Sequence, residues 1–135
     1  MIYLVDANVL SEPTKRGPDA KVVAWLSANE KDIVVNAVIL GEISLGIYVL
    51  PRGRKRVQLE QWFDNVVARV ECLVWDAAVS RRWARLIADL RKKGQTLAVL
   101  DSMIAATALE HRLTIATRNV RDFQKARVPL MDPFV

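Results

Sequence analysis

The chain opens on a short apolar run, Ile2-Tyr3-Leu4-Val5, which Asp6-Ala7-Asn8 breaks off. β-branched and aromatic residues with no polar residue between them predict a buried strand that runs into a loop. Similar runs at Ile33-Val34-Val35, Cys72-Leu73-Val74-Trp75 and Leu113-Thr114-Ile115-Ala116-Thr117 predict three more strands. Val128-Pro129-Leu130 predicts a short fifth. Between the runs, apolar positions recur at helical spacing. Residues 8–13 predict one helical turn that stops before Pro13, and Lys15-Arg16-Gly17-Pro18 predicts a loop. Asp19 predicts the N-cap of a helix reaching about Asn29, with Val22, Val23 and Leu26 inward. Asn36 caps a second helix that carries Ile39, Glu42, Ile43 and Gly46 and ends by Pro51. A basic segment, residues 52–56, opens a third, with Leu59, Trp62, Phe63, Val66 and Val67 at helical spacing. Asp76 caps a fourth running to about Lys93, with Val79, Trp83, Leu86, Ile87 and Leu90 inward and Gly94 as the stop. Residues 98–111 predict a small, apolar helix.

Short apolar strands alternating with helices predict an α/β fold with a mostly parallel sheet of four to five strands, covered on both faces. In such sheets ligands gather beyond the carboxyl ends of the strands. Asp6 and the segment Arg118-Asn119 fall at such ends.

The 135 residues suit a single domain spanning 1–135. At 52% hydrophobic and 26% charged, the chain has enough apolar material for a core without staples. Cys72 is the only cysteine, which excludes a disulfide framework and a zinc cage and suits a reducing cytoplasm. It reads as a buried strand residue. His111 is the only histidine, so catalysis by a histidine pair is excluded, and its place at a helix end reads as a dipole interaction. Asp6 interrupts the apolar start, so no leader peptide is expected. No apolar run approaches the ~20 residues that cross a bilayer. The formal charge of +5 suits an anionic partner without identifying one. Taken singly, the segments Arg52–Arg56, Arg81-Arg82-Arg85 and Arg91-Lys92-Lys93 read as solvated helix faces; as a group they can meet phosphates. Trp62 and Trp83 lie at core spacing rather than on a stacking platform, and no glycine-rich loop follows any strand.

Three acids stand where apolar residues are expected. Asp6 directly follows the first strand. Glu42 shares its helix face with Val38, Ile39, Leu45, Gly46 and Val49, and Asp101 shares its own with Ile104, Ala105 and Ala108. Glu60 and Glu110, by contrast, lie in polar stretches. Singly, Asp6 reads as a cap or turn residue, Glu42 as a helix acid bonded to an amide, and Asp101 as the N-cap of its helix. In combination the three need another explanation, because a carboxylate turned toward a core costs several kcal/mol. No cation lies on these helix faces to offset it. Mg²⁺ or Mn²⁺, hard cations that take oxygen ligands, would.

At these positions the chain resembles PIN-domain nucleases, among them the toxin halves of VapBC-type toxin–antitoxin modules. The resemblance runs end to end through five segments in order: Tyr3–Glu12, Leu40–Gly46, Leu100–Ala108, Thr117–Phe123 and Pro129–Phe134. It implies a three-layer α/β/α sandwich and a pocket of acids in which Asp6, Glu42 and Asp101 hold Mg²⁺ or Mn²⁺. It further implies endonucleolytic hydrolysis of RNA, a homodimer, and a cognate antitoxin protein that holds the enzyme inactive. Many members carry a fourth acid where this chain has Asn119. Either Asn119 hydrogen-bonds a water near the ion or Asp122, three residues on, supplies the charge; both are catalytic candidates. Thr117, Arg118 and Arg121 are candidate RNA contacts beside the pocket. The amide at position 119 also keeps open a second reading, a catalytically inactive PIN module that binds RNA or a partner protein.

Overall fold

The computed structural model describes residues 1–135. Five strands form one sheet: β1 Tyr3–Val5, β2 Ile33–Asn36, β3 Glu71–Leu73, β4 Thr114–Ala116 and β5 Leu130–Met131. Their order is β3-β2-β1-β4-β5 and every neighbouring pair is parallel. Seven α-helices complete a three-layer α/β architecture: α1 Ala7–Leu10, α2 Ala20–Ala28, α3 Ala37–Tyr48, α4 Arg54–Asn65, α5 Ala77–Lys92, α6 Val99–His111 and α7 Val120–Phe123. No helix is long and apolar enough to cross a membrane.

The helix starts follow from side-chain caps. Asp19 accepts from the Lys21 amide (2.8 Å), Asn36 from Ile39 (2.9 Å) and Asp76 from Val79 (2.9 Å). Each satisfies an amide that the helix itself leaves unpaired. Gly94 ends α5 with φ +67°, a conformation in which a side chain is strained. Leu4, Val5, Val34, Val35, Ile115 and Ala116 from the strands join Val22, Ile39, Ile104, Ala105 and Phe123 from the helices in one contiguous core.

Some expectations shift. The predicted turn over 8–13 becomes α1 followed by a 3₁₀ turn, Glu12–Thr14, that takes in Pro13; proline in a first turn forfeits only an amide that had no partner. Asp101 is not the N-cap of its helix: Ala98 holds that position, and Asp101 lies in the first turn of α6. Cys72 is exposed rather than buried, because β3 is the outermost strand and is paired on one side only. On α3 the buried stripe is Ile39, Ile43 and Ile47. Leu45 and Val49, grouped with Glu42 on the apolar face, are 62% and 71% exposed, so Glu42 sits at the margin of the stripe and is half-buried.

Because all strands run the same way, their carboxyl ends share one edge. β1 and β4 pair Val5 with Ala116, so Asp6 and Thr117 leave the sheet side by side. β2 delivers Asn36, and through it α3, at the same edge.

Candidate active site

Asp6 is 5% exposed. Its Oδ2 accepts from the Thr117 hydroxyl (2.8 Å) and the Asn8 amide (3.3 Å), and its Oδ1 from the Ala7 backbone N–H (2.8 Å). Burial still pushes its carboxyl above the usual aspartate range, against those donors, and the charge of Asp122 adds to the rise. The donors are themselves held. Asn8 Oδ1 accepts from the Arg118 amide (3.1 Å), and Thr117 Oγ1 accepts from the Asn119 amide (3.0 Å). The loop after β1 and the loop after β4 are thus laced together around one carboxylate.

Glu42 reaches the same region from α3. Its Oε1 is buried and has no hydrogen-bond partner. Burial raises its pKa first, then the charges of Asp6 and Asp101. Asp101, in the first turn of α6, is raised by burial and then by Asp6 and Asp122. Asp122 is exposed in α7. The structure therefore brings Asp6, Glu42, Asp101 and Asp122 into one electrostatic neighbourhood. It does not gather any three of them tightly enough to form a ready-made metal cluster.

The residues after β4 divide. Thr117, a candidate RNA contact, has no exposed surface, and its hydroxyl is engaged with Asp6. Just beyond the end of β4, it is placed to orient the Asp6 carboxylate. Asn119 is exposed at the N-cap position of α7, and its side chain makes no capping bond. Arg121 is exposed in α7. Arg118 lays its guanidinium over the Phe134 ring, 4.7 Å from the centroid. Trp83 donates from Nε1 to Ser102 Oγ (2.9 Å), a structural role.

Two residues were not singled out from the sequence. Asn8, whose amide joins Asp6 to the Arg118 backbone, was legible only as the third member of Asp6-Ala7-Asn8. Glu12 is 5% exposed, accepts from the Asp19 amide (2.9 Å) and pairs with Lys15 (3.1 Å). These contacts hold its carboxyl below the usual range. An acid directly after Val9-Leu10-Ser11 is the signal that marks it.

The donor set fits a hard divalent cation. All the groups are carboxylate oxygens, one of them buried and unpartnered, and each of Asp6, Glu42 and Asp101 is disfavoured as an anion, by burial first and by nearby carboxylates second. A cation would reverse that preference. The looseness of the cluster suits an ion that usually keeps several waters.

Comparison with known proteins bears on this arrangement. The family model described as "PIN domain" matches residues 3–129. The chain is similar to Toxin FitB of Neisseria gonorrhoeae, 33% identical over 98% of this chain and 99% of that one. It is also similar to VapC ribonuclease Y4jK of Sinorhizobium fredii, 30% identical over 98% of each. Among solved structures, FitAcB from Neisseria gonorrhoeae superposes with a TM-score of 0.91 at 32% identity, covering 98% of this chain and 99% of that one.

Proposed function

The chain belongs to the PIN-domain family, in its VapC-type branch, and from that premise we propose that it is a Mg²⁺- or Mn²⁺-dependent endoribonuclease, the toxin of a toxin–antitoxin pair. The observation that carries the reading is the convergence of Asp6, Glu42, Asp101 and Asp122, with Glu42 Oε1 buried and unpartnered. The ribonuclease name of the Sinorhizobium relative supports the activity, and the toxin name of the Neisseria relative supports a cognate antitoxin. A homodimer completes the proposal.

Asp6, Glu42 and Asp101 would hold the ion. Its chemistry is to neutralise charge on the phosphate and to make water a better nucleophile at neutral pH. The protein's own residues do the rest. Thr117, Asn8 and the Ala7 amide fix the Asp6 carboxylate in one orientation, so no reorganisation is needed during reaction. Glu42, whose Oε1 is buried without a hydrogen-bond partner, would also orient the attacking water at the ion. Asp122 supplies negative charge from α7, and the uncommitted amide of Asn119 is free to hydrogen-bond a phosphate or a water. Arg121 offers a positive charge beside them.

The test is RNA cleavage by the purified protein with Mg²⁺, with EDTA, and after Asp6→Asn. Metal-dependent cleavage that Asp6→Asn abolishes is expected; cleavage that survives both chelation and substitution contradicts the reading. Asn119, an exposed amide rather than an acid beside these carboxylates, favours the inactive module as the second reading. RNA binding without cleavage under any metal would select it.

A further inference from the structure

Away from the acids, the end of the 3₁₀ turn after α1 and the loop that follows it face the start of α4 across an open cleft of about 1050 Å³. Lys15 and Arg16 line one wall, Arg54 and Lys55 the other, and no Asp or Glu lines it. Lys15 is paired with Glu12, but Arg16, Arg54 and Lys55 have no carboxylate partner. Folding gives no reason for this placement. Arg54 and Lys55 open α4, where the helix dipole disfavours cations, and no acid in that turn offsets them.

The cleft continues toward the acid site. A second, smaller cavity is lined by Glu42 and Asn8, and it shares Thr14, Gly46, Leu59 and Trp62 with the cleft. Gly46 sits inside α3, where glycine costs about 0.5–1 kcal/mol relative to alanine. A Cβ built there meets nothing within 4 Å. No packing within the chain requires the glycine; what it leaves open is the passage between cleft and acids.

We infer that Arg16, Arg54 and Lys55 form a phosphate-binding track for single-stranded RNA flanking the cleavage point, with Gly46 keeping open the passage from that track to Glu42. The inference rests on the nuclease reading and adds the path of its substrate. Separate stretches of charge, spaced along a strand and free of acids, suit a polyphosphate backbone rather than one small anion.

The test measures anisotropy of a fluorescein-labelled oligouridylate with the full chain in EDTA, between about 50 and 200 mM KCl. The triple variant Arg16→Gln, Arg54→Gln, Lys55→Gln is expected to bind roughly tenfold more weakly, with a log–log salt slope shallower by about 2. A control triple on α5, Arg81→Gln, Arg85→Gln, Arg91→Gln, is expected to leave the slope unchanged. Gly46→Gln is expected to keep the slope, melt no lower than the native chain, and cut Mg²⁺-dependent cleavage at least tenfold. An unchanged slope in the cleft variant, an equal change in the control, or native cleavage by Gly46→Gln overturns the inference. So does a cleft variant that loses a polyglutamate peptide but not RNA, which would make the cleft a protein site. If the cleft variant binds normally while Asp6→Asn abolishes cleavage, the track falls and the nuclease reading stands. If the native chain never cleaves while the slope still changes, the track stands and the nuclease reading falls.

Discussion

Asp6 accepts three hydrogen bonds and is nearly sealed from water, yet burial wins and its carboxyl stays above the usual range. Glu42 and Asp101 are raised as well. A group that binds its proton more tightly folded than unfolded lowers stability as pH rises from the unfolded carboxylate range through the raised native value, and the loss persists above it. Hence Glu42→Gln and Asp101→Asn, assayed without divalent metal at neutral pH, are expected to melt at or above the native chain, an advantage that vanishes below the unfolded carboxylate range. Added Mg²⁺ should raise the native midpoint and leave a chain carrying both substitutions unmoved. Variants that melt lower at neutral pH while folding normally would contradict this. Thr117→Val tests positioning. It removes a hydrogen bond to a charged, buried acceptor and is expected to cost about 1.5–3 kcal/mol in urea unfolding. It should also slow cleavage without touching substrate. A loss of activity with unchanged stability would instead assign Thr117 a direct contact.

The elements that carry these residues were legible to different degrees. Asp19, Asn36 and Asp76 announced their helices, because a short polar side chain ahead of an apolar periodic run has few other uses. Asn36 does two things: it caps α3 and donates to the Thr107 hydroxyl (3.0 Å), tying α3 to α6. Asn36→Ala is therefore expected to cost about 0.5–2 kcal/mol and to lower cleavage, since Glu42 and Asp101 ride on these two helices. Unchanged activity beside the expected loss of stability would show that the site tolerates movement of α3. The exposure of Cys72, Leu45 and Val49 was not legible. An apolar run states that a segment prefers burial, whereas strand order decides whether β3 has a second neighbour, and helix rotation decides which apolar residues of α3 meet the sheet.

In the whole molecule, five parallel strands bring their carboxyl ends to one edge, and the acids collect there. Asp6, Glu42 and Asp101 could be named from the sequence because each broke an apolar pattern. Asn8 and the burial of Thr117 could not, since they follow from the pairing of Val5 with Ala116 across more than a hundred residues. The same holds for the basic cleft, whose walls lie about forty residues apart in sequence. Neutralising charge at such a site should be coupled to the ion, so the direct test is a Mg²⁺ titration of RNA cleavage rate for the native chain and Asp101→Asn. Expected are no cleavage in EDTA, a native rate that rises to saturation with Mg²⁺, and a variant at least about a hundredfold slower at the same concentration. A native rate indifferent to Mg²⁺, or an Asp101→Asn chain that matches it throughout, would contradict the assignment of these carboxylates to a metal-dependent nuclease.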